Sequence, residues 1–130
     1  MSAMSYREDN KVLWRGVRPA HNGTQILEST VATNETVVLY TVSAGMTFNL
    51  CYYYLFLEKG IDGYGQLLIT DELDVTKFRV GRLYSFPDNI GNVDSQAFYF
   101  PIEIKEGWKF KITSSAALLE VWCGIHGFEE

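Results

Sequence analysis

The chain has 130 residues, of which 47% are hydrophobic, 15% aromatic and 21% charged, and its formal net charge is −5. This composition is typical of a folded globular protein with one substantial core, so a disordered chain is excluded. The acidic balance argues against nucleic acid as a partner, because phosphate binding needs a basic surface.

The first ten residues have no hydrophobic periodicity, and we interpret them as an N-terminal arm that precedes a single domain over residues 11–130. Residues 1–20 carry four basic and two acidic side chains and therefore net +2, which leaves −7 for the remainder. Such a segment fits either a solvated chain start or an arm that docks on an acidic neighbour. Its predicted interface residues are Arg7, Lys11, Trp14, Arg15 and Arg18.

The rest of the chain consists of short segments in which apolar and polar residues alternate, separated by turn residues. Alternation with a period of two predicts strands with one buried face, and no stretch has a helical period. Eight or nine short strands at regular spacing are typical of a sandwich or a barrel. The predicted strands cover residues 12–18, 24–32, 36–43, 46–58, 66–70, 75–86, 96–104, 108–113 and 118–126.

One eleven-residue pattern occurs twice, at 40–50 and at 102–112, with Gly45 and Gly107 at the same place in a three-residue break. Glycine there predicts a left-handed backbone at a structural turn. A hairpin with a three-residue loop would pair Ile104 with Trp108, and a tight arc between two stacked sheets fits the same pattern.

Two similar halves of four strands each predict an all-β fold, a jelly-roll-like antiparallel β-sandwich built from two Greek keys. An immunoglobulin-like sandwich is the main competitor, but it expects a core tryptophan between two bridged cysteines. The order here is Cys51, two tryptophans and then Cys123, which fits poorly. Buried free thiols are favoured, although a disulfide would form if the two strands were neighbours.

Residues with the spacing of a catalytic or metal site are scarce. The two histidines, His21 and His126, lie far apart in the sequence, and no nucleophile elbow or phosphate loop occurs. Oxygen-bearing side chains cluster in Asp88–Asp94, as they do in calcium sites, but turn chemistry accounts for the same residues. The sequence therefore predicts no enzyme, no metal and no cofactor.

Two predicted strands, 46–58 and 118–126, are apolar on both faces, which is unusual in a two-layer sandwich. From Met46 to Phe56 the even positions form a continuous apolar face, while the opposite face becomes apolar from Cys51 onward. The second face needs a cover, which would be another subunit, residues 1–10 or the loop at 87–95. The predicted interface residues on these strands are Tyr53, Leu55, Leu57 and Trp122.

The phrases Thr41–Phe48 and Phe100–Ile112 resemble those of small jelly-roll virion proteins of tailed bacteriophages, including capsid decoration or cement proteins. The resemblance covers residues 36–58 and 96–125 and is one of fold. It implies a protein of the virion, made in the host cytoplasm, that binds the major capsid protein or another virion protein. It also implies a homo-oligomer, often a trimer, that reinforces the head lattice.

The leading hypothesis is therefore a capsid decoration protein that uses its N-terminal arm and its two-faced strands for subunit contacts. The alternative is a carbohydrate-binding jelly roll of a phage tail or surface protein, in which Trp14, Tyr64 or Tyr84 stacks on sugars. No membrane partner is expected, because the longest apolar stretch, Leu50–Leu57, is too short to cross a bilayer.

Overall fold

The computed structural model describes residues 23–57, 61–87 and 91–130, and these residues form eight β-strands and no helix. Within them, accordingly, no helix is long and apolar enough to cross a membrane. The predicted arm at 1–10 and the predicted strand at 12–18 lie outside the described residues. The strands are β1 (Thr24–Thr33), β2 (Thr36–Thr41), β3 (Phe48–Leu57), β4 (Gly63–Thr70), β5 (Thr76–Ser85), β6 (Asn92–Ile104), β7 (Lys109–Ser114) and β8 (Glu120–Glu129).

The strands form two four-stranded antiparallel sheets that stack as a sandwich. Sheet A has the order β1-β8-β3-β6, and sheet B has the order β2-β7-β4-β5. The pairs are nested, because β1 pairs with β8, β2 with β7, β3 with β6 and β4 with β5, in alternate sheets. This is the strand order of a jelly roll, so the predicted all-β jelly-roll sandwich is confirmed.

Both copies of the repeated pattern are arcs between the sheets. The first copy connects β2 in sheet B to β3 in sheet A, and the second connects β6 in sheet A to β7 in sheet B. The hairpin interpretation is wrong, because Ile104 pairs with Phe48 on β3. The two arcs lie side by side, and the Val42 N–H donates to the Trp108 carbonyl over 2.9 Å.

Gly45 and Gly107 occupy equivalent places in the two arcs, and both have φ of +77°. An L-residue with a Cβ is disfavoured in this left-handed region. Glycine therefore lets the chain leave one sheet and enter the other within a few residues.

The core lies between the sheets and is closed by aromatic rings near the arcs. Phe48 and Phe110 are fully buried and meet edge to face with 5.0 Å between ring centroids. Further along, the strands contribute Leu50, Leu67, Ile69, Ile104 and Ile112, each fully buried. Burying one such side chain contributes about 1.5–3 kcal/mol.

One buried carboxylate connects the two sheets. Glu129 at the end of β8 is 4% exposed. It accepts hydrogen bonds from the Tyr40 hydroxyl at 2.5 Å and from the Ser43 N–H at 3.0 Å. Burial raises the pKa of this carboxyl, but the two hydrogen bonds outweigh burial and lower it below the ordinary 4.5. The carboxylate is thus satisfied inside the sandwich.

Candidate functional site

A β-bulge at Cys51 reverses the faces of β3. Leu50 pairs with Ile102 and Gly127, and Tyr52 pairs with Ala97 and His126, so Cys51 has no opposite residue on β8. An extra residue shifts the alternation of side chains by one. On β3 the even-numbered residues point into the core up to Leu50, and from Tyr52 onward they point away from it.

The bulge corrects the predicted interface on β3. Tyr53, Leu55 and Leu57 belong to the core, with exposures of 2%, 0% and 1%. Tyr53 donates from its hydroxyl to Asp94 Oδ2 over 2.9 Å, and burial together with this carboxylate raises the pKa of Tyr53 to about 12. These three side chains are internal, so they do not form a contact surface.

The outward side chains of sheet A form a surface that we call the aromatic face. Their register follows from the pairing of β3 with β8 and β6 and of β8 with β1. Trp122 lies within it, 40% exposed, beside Phe56. The aromatic face consists of Leu27, Ser29 and Val31 on β1, Trp122, Gly124 and His126 on β8, Tyr52, Tyr54 and Phe56 on β3, and Val93, Ser95 and Ala97 on β6.

A shallow groove of about 450 Å³ runs across the aromatic face, lined by Tyr52, Tyr54, Phe56, Val93, Ser95 and Trp122. A smaller hollow of about 210 Å³ lies beside it, between Tyr52 and Tyr54 on one side and Leu27 on the other. Their linings are mainly apolar, so both hollows suit an apolar or aromatic partner group better than a charged reactant.

Gly124 makes room for the central ring of this face. It pairs with Tyr54, whose ring lies so close that a Cβ on Gly124 would overlap it. The missing side chain lets the Tyr54 ring lie against the β8 backbone. On the same face His126 contacts Gln25, with 2.7 Å between their Nε2 atoms.

The edge strand β6 adds two exposed rings next to the aromatic face. Ala97 pairs with Tyr52 and Ile102 with Leu50, so residues 98–101 form an excursion opposite Cys51. Tyr99 and Phe100 in this excursion are 62% and 77% exposed. Bulges of this kind are common at sheet edges, where they redirect side chains.

The outer surface of sheet B has a different character, and we call it the cationic face. It carries Lys77, Arg79 and Arg82 from β5 and Lys109 and Lys111 from β7. The two lysines of β7 alternate with the buried Phe110 and Ile112, so they point outward.

The side chains of the cationic face make two sets of contacts. The Arg82 guanidinium lies 4.4 Å from the centre of the Tyr64 ring and donates to Gln66 Oε1 over 2.6 Å. At the other end, Lys109 and Lys111 both reach Asp74, at 2.8 and 2.7 Å. Hydrogen bonds from these lysines lower the pKa of Asp74 to about 2.

The contacts of Arg82 affect which of the predicted sugar-stacking residues are available to a ligand. Tyr84 is 54% exposed and available for stacking. Arg82, however, already lies over the Tyr64 ring. Trp14 lies outside the described residues.

Most of the other residues singled out in the sequence lie outside the part of the chain that the structure describes. Arg7, Lys11, Arg15 and Arg18 lie outside the described residues, as do His21 and residues 88–90 of the polar loop before β6. Within residues 23–57, 61–87 and 91–130, no group of three or more His, Cys, Asp or Glu side chains could hold a metal ion.

Cys51 and Cys123 are free, buried thiols. Cys123 pairs with Leu55, which lies four residues from Cys51 along β3 and thus about 13 Å away. A disulfide needs Cα atoms within about 7 Å of each other. Burial raises the pKa of Cys123 to about 12, so this thiol is a poor nucleophile at neutral pH.

Comparisons with known proteins add little to this description. No family model matches the chain, and no curated protein matches it. Among solved structures, one described as Bacillus endospore appendages, a family of disulfide-linked pili, aligns over 82% of this chain and 90% of its own, at 10% identity and a TM-score of 0.38.

Proposed function

We propose that this protein is a non-enzymatic structural protein of a phage virion, of the capsid decoration type, which self-associates through its aromatic face and stabilises the head lattice. The observation that carries the proposal is the apolar outer layer of sheet A. Rows from all four strands meet there, with Phe56 and Trp122 side by side next to Val31 and Val93. Soluble monomers rarely expose a contiguous apolar patch of this kind, so a partner surface is the economical cover.

The residues of the aromatic face suit a contact surface better than a reaction. Tyr and Trp bury a large area at small conformational cost and keep a polar tip, and they dominate the energetics of many interfaces. The resemblance to virion proteins in the two arcs points in the same direction. The second proposed contact, directed at the head lattice, is the N-terminal arm at residues 1–10 together with the basic residues that follow it as far as Arg18.

Co-sedimentation with undecorated capsids of the phage that encodes the protein tests this function. We expect wild-type protein to pellet with the capsids and to raise their resistance to heat. Phe56→Ser with Trp122→Ser should weaken both effects, whereas the matched control Leu73→Ser, at a site 77% exposed in the loop between β4 and β5, should not. Wild-type protein that stays in the supernatant would overturn the proposal.

Deletion of residues 1–10 tests the arm separately. We expect weaker capsid binding and an unchanged melting temperature, because residues 1–10 precede every strand that the structure describes. Capsid binding equal to that of the full chain would exclude the arm as a contact.

The second candidate function is carbohydrate binding in a phage tail or surface protein. Its supporting observation is the Tyr64–Tyr84 pair, with 6.4 Å between ring centroids and Arg82 beside both rings. Sugar faces stack on such rings, and a guanidinium donates to hydroxyl or carboxylate oxygens. A glycan array tests carbohydrate binding. If the wild-type protein binds a glycan and Tyr84→Ala does not, carbohydrate binding replaces capsid decoration as the proposed function.

A further inference from the structure

The charges of the strands segregate between the two sheets. The four strands of sheet A contain five acidic residues and no Lys or Arg, and the four strands of sheet B contain five basic residues and no Asp or Glu. The acidic residues are Glu28, Asp94, Glu103, Glu120 and Glu129, and the basic ones are Lys77, Arg79, Arg82, Lys109 and Lys111. Of the acidic residues, only Glu103 and Glu120 have outward register, because Glu28, Asp94 and Glu129 pair with buried core residues.

We infer that copies of this chain associate front to back, with the aromatic face of one copy on the cationic face of the next. Glu103 on β6 and Glu120 on β8 are exposed at outward positions of sheet A, Glu120 two residues before Trp122, so the two faces have opposite charge. Cations are attracted to Tyr, Phe and Trp rings as well as to carboxylates. The inference rests on the self-association in the proposed function and identifies the surface that covers the aromatic face.

The cations that reach a neighbour lie mainly on β5. Lys109 and Lys111 lie along the sheet toward Asp74, and their side chains are only 24% and 16% exposed. Arg79 is exposed and has no hydrogen-bond or ion-pair partner among the residues that the structure describes. Lys77, at 41% side-chain exposure, and Tyr84 flank it. Arg79 is thus the best-placed cation for a second copy.

The size of the contact predicts weak association. Strands of six to ten residues in sheet B give a face about 19 Å wide and about 25 Å long, or about 500 Å² for each copy. Two such faces bury about 1,000 Å² in total, near the lower limit for a specific interface. Because the faces lie on opposite sides of one sandwich, the contact is heterologous and repeats from copy to copy.

Sedimentation velocity of the full chain without capsids tests the inference. We expect the mean mass to rise with protein concentration at about 50 mM salt and to fall at about 500 mM, where charges are screened over a few ångströms. Arg79→Glu should weaken association about tenfold, because the reversed charge meets acidic residues. The matched control Lys105→Glu has the same charge change in the arc between β6 and β7 and should leave association unchanged.

Mixing two variants separates a front-to-back contact from a symmetric one. Trp122→Lys weakens the aromatic face and Arg79→Glu weakens the cationic face, so each variant alone should associate about tenfold more weakly than wild type. Their equimolar mixture should form dimers and no larger species, since one intact pair of faces remains. A symmetric contact between two aromatic faces would instead leave Arg79→Glu as associated as wild type, and this result would overturn the inference.

Two further outcomes are also decisive. A wild-type chain that is monomeric at every concentration at low salt excludes front-to-back association, and capsid co-sedimentation then reports separately on the proposed function. If association persists in Arg79→Glu but is lost when residues 1–22 are deleted, then the N-terminal segment, and not the cationic face, covers the aromatic face. This result would overturn the inference.

Discussion

The ring of Tyr54 lies against the backbone of Gly124 on the neighbouring strand, in the middle of the outer face of sheet A. The two residues are direct partners in the register of β3 and β8. Since glycine leaves the space above its Cα empty, the ring fills that space and forms part of both hollows in the aromatic face. Local packing and the shape of the candidate contact surface thus depend on the same pair.

Gly124→Ala tests this packing. The new Cβ would overlap the Tyr54 ring, which must move outward, so we expect a loss of about 1–3 kcal/mol in the free energy of unfolding. Urea denaturation measures it. Tyr54→Ala in the same chain should remove most of the penalty of Gly124→Ala, and strictly additive effects would show that the two residues do not interact.

Gly45→Ala tests the left-handed turn without a steric contribution. An added Cβ at Gly45 has no heavy atom within 4 Å, so the whole cost arises from φ of +77°. We expect a loss of about 1–2 kcal/mol in the free energy of unfolding. Gly107→Ala should cost a similar amount, because its φ is also +77° and the added Cβ would meet Glu72 only at an ordinary contact distance of 3.6 Å. Unchanged denaturation midpoints in both variants would contradict the role of the arcs.

Tyr40→Phe tests the carboxylate between the sheets. The variant removes one of two hydrogen bonds to buried Glu129, so we expect a loss of about 1–3 kcal/mol at neutral pH. The folded-state pKa of Glu129 is lowered, so its stabilisation is present above the ordinary 4.5 and is lost as pH falls through the lowered folded value. The difference between wild type and variant should therefore shrink in acid. A difference that grows below pH 4.5 would contradict this account.

The fold was largely accessible from the sequence because its signals are local. Alternating residues predict strands, and the equal spacing of Gly45 and Gly107 predicts equivalent turns. The alternation does not distinguish a hairpin from an arc at either turn, because both keep the apolar residues inward. The choice depends on long-range pairing such as Ile104 with Phe48, which no local pattern contains.

The candidate surface was harder to predict. Apolar residues on both faces of residues 51–57 indicated a second contact, but the bulge at Cys51 exchanged the two faces. A bulge in a continuous apolar run changes no residue type, so the sequence has no signal for it. The segregation of charge is hidden for a similar reason, since strands of sheet A and sheet B are interleaved along the chain.

Asp74→Asn provides a gain-of-function test of the cationic face. This carboxylate holds both Lys109 and Lys111, and its removal leaves their charge available to a partner. We therefore expect stronger front-to-back association at low salt, measured by sedimentation velocity. The control Glu35→Gln makes the same charge change in the turn between β1 and β2 and should have no effect. Weaker association in Asp74→Asn would contradict a cationic contact.

Radical footprinting of Trp122 in purified virions tests the central claim most directly. The side chain is 40% exposed in the isolated chain, so free protein should be labelled readily. If the aromatic face is buried in the assembled particle, labelling of Trp122 and Phe56 should fall severalfold, while Leu73, which is 77% exposed in the loop between β4 and β5, serves as an internal reference. Equal labelling of Trp122 in free and assembled protein, or absence of the protein from the particles, would contradict the account.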